Sequence, residues 1–90
     1  MARPSRLKPS EVAADWPTIP SDDYPTEVAR QLALNLDAAL KGISLRAAKG
    51  KTGVDHTTIA DIINGNVWPD LHTIARLEDG LDVGLWPHKA

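Results

Sequence analysis

The stretch GISLRAAKGKTGVDHTTIADIING, residues 42–65, decides the fold. Ser44 is a good N-cap and is followed by Leu45, Ala47 and Ala48, so a short helix is expected to run to about Thr52. Gly50 weakens that helix by about 1 kcal/mol relative to alanine. Gly53-Val54-Asp55 then reads as a three-residue turn in which Gly53 supplies the turn residue and Asp55 the next N-cap. The segment that Asp55 opens runs from His56 to Asn64, and Gly65 offers a left-handed C-cap. Its faces separate cleanly. Ile59, Ile62 and Ile63 stand at i, i+3 and i+4 and form a stripe to be buried, while His56, Thr57, Ala60, Asp61 and Asn64 share the other face. That outer face is short, polar and nearly uncharged.

Working outward, Thr26 is a candidate N-cap with Glu27 in its first turn, and Val28, Leu32, Leu36, Ala39 and Leu40 recur at helical spacing before Gly42. A helix over about 26–41 follows. Downstream, Trp68-Pro69 breaks the chain, and Asp70 caps a further helix with Leu71, Ile74 and Leu77 expected inward. Asp82 is expected to cap a last turn carrying Val83, Leu85 and Trp86, with Trp68 and Trp86 packed against the edge of the core. Residues 1–25 hold five of the seven prolines, at positions 4, 9, 17, 20 and 25, so no helix or central strand is expected to run through them. They read as a Pro-rich, partly ordered arm, with Trp16, Ile19 and Tyr24 able to pin it onto the domain surface or a second subunit. The domain proper is expected over 26–87. No strand pattern and no internal repeat is visible, so the fold class is all-α.

A chain of 90 residues supports one domain with one modest core. Its apolar runs are only a few residues long, against the roughly 20 needed to cross a bilayer, and its start lacks the apolar region of a signal peptide; the expected compartment is the cytosol. Cysteine is absent, which removes disulfides, thiolate metal sites and a cysteine nucleophile. Net charge is −2, which taken alone argues against a polyanionic partner. The distribution argues otherwise. Arg3, Arg6 and Lys8 make residues 1–10 basic, residues 11–40 carry a net −5, and residues 41–51 hold Lys41, Arg46, Lys49 and Lys51 with no acid. A ligand meets the local field, not the total.

Two short helices joined by a tight glycine-containing turn are the helix-turn-helix signal, in which the second helix enters the DNA major groove and the first lies across the backbone. The run Ser44-Leu45-Arg46-Ala47-Ala48, then Thr52-Gly53-Val54, Thr58-Ile59, Ile62-Ile63-Asn64-Gly65, Pro69, Ile74-Ala75, Leu81 and Asp82-Val83 sharpens it. Across about residues 26–86 the sequence resembles the lambda-repressor-like (Xre/Cro-type) helix-turn-helix family. The resemblance implies a five-helix domain that binds double-stranded operator DNA as a homodimer and represses transcription, with a phage or prophage type of repressor as the nearest description. Carried over by position, His56, Thr57, Ala60 and Asp61 are the base-reading residues. Ser44, Asn64 and Gly65 match places where the family touches phosphates, and Arg46, Lys49 and Lys51 add cations beside them. Arg3, Arg6 and Lys8 are candidate DNA contacts from the arm. The dimer contact is expected from the C-terminal turn with Trp86 or from the arm with Trp16 and Tyr24.

Three positions depart from the family pattern. Leu45 stands where the family often has a glutamine that reaches the backbone. Lys49 stands where a small alanine packs between helices, leaving either a rotated helix or a side chain that snorkels to solvent and phosphate. Asp61 accepts from cytosine N4 but repels phosphate, so it marks either specificity or weak binding.

Other chemistries find little support. Gly50-Lys51-Thr52 resembles the end of a phosphate-binding loop, but that motif needs a glycine at position 45, where Leu45 stands. His56, His72 and His88 fall in different elements without metal-ligand spacing, so neither a metal nor any other cofactor is expected. No nucleophile elbow or paired-carboxylate motif appears, and an enzyme is not expected. The rival reading is a protein-interaction module on the same fold, either an antitoxin or a factor docking on the transcription machinery, supported by the acidic stretch 11–40 and implying a protein partner.

Overall fold

The computed structural model describes residues 6–87, which form five helices and no strand among the described residues. They are α1 (Pro9–Val12), α2 (Tyr24–Ala39), α3 (Leu45–Thr52), α4 (His56–Ile63) and α5 (Leu71–Leu81). Leu32, Leu36 and Leu40 of α2 and its C-cap, Ala48 of α3, Ile59 and Ile62 of α4, and Ile74 and Leu77 of α5 meet in one core with Val54 and Leu85. α3 packs against both α4 and α5, so the helix pair read from the sequence rests on α5 as well as on the shared core.

Ser44, Asp55 and Asp70 cap α3, α4 and α5 as their types require, each accepting a backbone N–H from the first turn. The other ends differ from expectation in instructive ways. α2 starts at Tyr24, not Thr26: Asp23 is the N-cap, its carboxylate accepting from Thr26 N, and Thr26 is fully buried. Pro25 sits in the first turn of α2 and Pro9 opens α1, where a missing N–H costs nothing, so neither proline bars a helix. The fifth helix is therefore the single turn α1, not a turn after Asp82. Asp82 instead ends α5 in the left-handed conformation, φ 54° and ψ 48°. The chain beyond it is non-helical because Glu78 accepts from the N–H groups of Leu85 and Trp86, and Asn35 Nδ2 donates to Leu85 O. Leu85 is thereby buried, and Trp86 is left half-exposed at a cleft that the core residues Leu32 and Ile74 also line. Leu71, expected inward, is 78% exposed: it is the first residue of α5, where the stripe has run past the core.

Between α1 and α2 the chain is fastened to α2 by one ion pair. Arg30 forks onto Glu27 with Nε–Oε1 at 2.8 Å and Nη2–Oε2 at 2.7 Å, while Arg30 Nη1 donates to Pro17 O and Ser21 N donates to Glu27 Oε1. Both side chains are largely buried. Arg30, and then the donors Gln31 and Ser21, hold the Glu27 carboxyl down at about 2 against the pull of desolvation. A carboxyl depressed on folding stabilises the fold above its unfolded value of about 4.5 and loses that contribution as pH falls toward 2. Urea unfolding from pH 7 to pH 2 should show wild-type stability falling by about 2 kcal/mol more than that of Glu27→Gln, with the difference confined to pH below about 5. Parallel curves would dismiss the pair.

α5 reaches α3 through Gly80, where an added Cβ would lie 2.5 Å from Lys51 O and 2.7 Å from Thr52 Cα. Gly50, in α3, has open space around it. Helix propensity favours alanine at both, so the sign separates the two sites: Gly50→Ala should stabilise by about 0.5–1 kcal/mol, whereas Gly80→Ala should destabilise by about 1–3 kcal/mol through overpacking. Thermal and urea melts of the two variants decide it.

Candidate nucleic-acid interface

The turn between α3 and α4 is built around Thr52. Its buried hydroxyl donates to Ala48 O at 2.8 Å and accepts from Val54 N at 3.1 Å. Gly53 is left-handed at φ 73° and donates to Lys49 O, and Arg76 of α5 donates through Nε to Thr52 O at 3.3 Å. Backbone groups that a turn would leave unpaired are thus satisfied within it.

α4 begins at Asp55. One carboxylate oxygen, Oδ2, accepts from Thr57 N at 3.0 Å; the other, Oδ1, lies 3.3 Å from Lys49 Nζ and 3.7 Å from His56 Nδ1. The Thr57 N–H, and then Lys49, hold the Asp55 carboxyl below the usual carboxylate range. Lys49 is half-exposed with its ammonium on Asp55, and Ala48 is its buried neighbour in α3. His56 and Thr57 are exposed at the N-terminal tip of α4, Asp61 is half-buried further along, and Ala60 is half-buried. Ala60 lines a shallow cleft with Leu45, Ile43, Ile63 and Asn64. Ser44, Arg46 and Lys51 are exposed on the neighbouring α3, and Arg46 and Lys51 form no ion pair among the described residues.

The far end of α4 is held by residues that precede α2. Trp16 Nε1 donates to Ile63 O at 2.9 Å, Ser10 N donates to Gly65 O at 2.9 Å, and Trp68 Nε1 donates to Leu7 O at 2.7 Å. Gly65 is left-handed at φ 70°, and an added Cβ would lie 2.6 Å from Trp16 Cε2. Gly65 was expected to touch phosphate. It is instead buried beneath Trp16, with its N–H donated to Ile62 O, so it serves packing. Asn64 beside it is exposed. Of the arm cations, Arg6 stacks 5.7 Å from the centroid of the Trp68 ring and Lys8 is exposed next to α1. Arg3, like His88, lies outside the described residues. Trp16 is committed inside the chain, while Tyr24 and Trp86 stay half-exposed and line one apolar cleft with Val28, Trp68 and Pro69.

The geometry thus has a short helix with a polar tip, a second helix carrying cations beside it, and a glycine turn between them. A family model described as helix-turn-helix matches residues 28–85. The chain belongs to the lambda-repressor-like helix-turn-helix family. That family comprises DNA-binding transcription regulators, so the helix-turn-helix pair of this chain is α3 and α4 and its ligand class is DNA. No curated protein and no solved structure matches the chain. No helix of the described residues is long and apolar enough to cross a membrane. The brace formed by Ser10 and Trp16 precedes the matched residues, and the reading of residues 1–25 by their prolines gave no sign of which surface it would cover. The Lys49–Asp55 pair was likewise missed, although a lysine at an alanine position six residues before an aspartate cap was visible.

Proposed function

We propose that this protein is a sequence-specific repressor of transcription that binds a palindromic operator as a homodimer, with α4 in the major groove and α3 across the backbone. One observation carries the reading: His56 and Thr57 stand exposed at the tip of α4 beside the acid-free block from Lys41 to Lys51, and the acids near them are Asp55, which is paired, Asp61, and Asp37 at the cleft that Ala60 and Asn64 line. His56, Thr57 and Asp61 meet base edges, and Ala60 allows close approach. Ser44, Arg46, Lys51 and Asn64 meet phosphates, with Arg6 and Lys8 adding contacts from the side of the Trp68 loop. The few side chains available make one domain a poor discriminator, so two copies on half-sites about 34 Å apart supply the affinity and impose the palindrome. We assign the dimer contact to Tyr24 and Trp86, whose half-exposed rings share one apolar cleft.

Selection of random duplex DNA on the purified protein should return a palindrome. Thr57→Ala with Asp61→Ala should degrade or change that motif. Arg46→Ala and Lys51→Ala should leave the motif and each reduce the slope of log affinity against log salt by about one. Absence of any enriched sequence at low salt would defeat the base-reading assignment and turn attention to a protein partner.

A further inference from the structure

Lys49 belongs to α3, yet its ammonium crosses the turn to Asp55 Oδ1 at 3.3 Å, one residue before α4 begins. The same oxygen lies 3.7 Å from His56 Nδ1, so three side chains gather at the tip: Lys49, Asp55 and His56, each about half-exposed. Asp55 is itself fixed, because its second oxygen accepts from Thr57 N. Arg46 and Lys51, the other cations of α3, have no such partner among the described residues.

We propose that Lys49 is a base-reading residue supplied by α3, held over the tip of α4 by the positioning residue Asp55, and that it contacts the N7 and O6 edge of a guanine next to the base pair met by His56. This rests on α4 being the helix that enters the major groove. An ammonium beside a carboxylate offers a phosphate little net charge, and the carboxylate repels that phosphate, so the pair makes a poor backbone clamp. A guanine edge is neutral and presents two acceptors, so it gains hydrogen bonds from the ammonium without that repulsion. Asp55 also biases the four-carbon side chain toward the tip of α4 without locking it there. An ion pair between half-exposed groups is weak in water, so Lys49 adjusts on docking without a large penalty.

The test uses the full chain with Lys49→Ala and Asp55→Asn; asparagine caps a helix about as well as aspartate, so α4 remains capped. Random duplexes are selected on wild type and both variants, and affinities for single-base variants of the selected site are measured across salt concentrations. The expected result is a guanine in each wild-type half-site whose preference drops roughly tenfold in Lys49→Ala. Asp55→Asn should weaken the same position, while the other positions and the salt slope of Lys49→Ala stay as in wild type. Uniform weakening by Lys49→Ala with a salt slope reduced by about one would make Lys49 a phosphate contact and overturn the proposal. Unchanged preferences in both variants would also overturn it. Thr57→Ala separates the two levels: if it alters the motif while Lys49→Ala does not, reading by α4 stands and only the role of Lys49 falls. If wild type selects no motif, both fall. Unchanged thermal melts of the Lys49 and Asp55 variants exclude misfolding as the cause of either pattern.

Discussion

The hydroxyl of Thr52 is the constraint on which the rest depends. It closes α3 by donating to Ala48 O and opens the turn by accepting from Val54 N, all within the buried interior. A hydroxyl can do both at once, and a valine of the same shape would leave the buried Val54 N–H without its partner. Because the turn is satisfied internally, the two helices leave it in one fixed relation. α5 then holds that relation from behind, through Arg76 on Thr52 O and through the close approach at Gly80. Neither helix of the pair could supply this alone: each is eight residues long, well below the length at which an isolated helix is stable in water.

α4 is consequently a helix fixed from outside at both ends. At its start the Asp55 carboxylate supplies the cap and gathers Lys49 and His56. At its end the Ile63 and Gly65 carbonyls, which the helix cannot satisfy, accept from Trp16 Nε1 and Ser10 N. The missing side chain of Gly65 is what lets the indole lie across that end. Residues before α2 thus act on α4 directly, and the Trp68 bond to Leu7 O and the Arg6 guanidinium over the Trp68 ring fasten the start of the described chain to the loop after α4.

What was legible in the sequence follows from how local each determinant is. α3, the turn and α4 were readable to within a residue, because Ser44, Asp55, Gly53 and the Ile59/Ile62 stripe act through hydrogen bonds and periodicity within a few positions. The start of α2 was misplaced by two residues because Asp23 and Thr26 are both good caps, and Pro25 between them suits either a boundary or a first turn. The C-terminal segment was misread because Asp82 at a helix end and Asp82 at a helix start look alike; the Glu78 and Asn35 contacts that hold residues 85–86 off the helical path are tertiary. For the site the same division applies. The exposed positions of His56 and Thr57 follow from helical phase, but the burial of Gly65 comes from an indole 49 residues earlier, and no local rule points to it.

On the proposal that α4 reads base edges, the acids around it set how the surface would select DNA. A protein that neutralises phosphates with an unbroken cationic face binds any duplex, and its sequence preference is a small increment on a large non-specific term. Here the cations are few, Asp55 stands at the tip and Asp61 on α4, so approach to a duplex that offers no matching base edges would bring carboxylate toward phosphate with little in return. A duplex that places a donor such as cytosine N4 opposite Asp61 converts the same repulsive group into an acceptor with a partner. Weak non-specific binding then widens the ratio between right and wrong sites at the expense of absolute affinity. The two-fold assembly proposed above would restore that affinity, since linking two such surfaces multiplies the discrimination of each without adding a single cation to either.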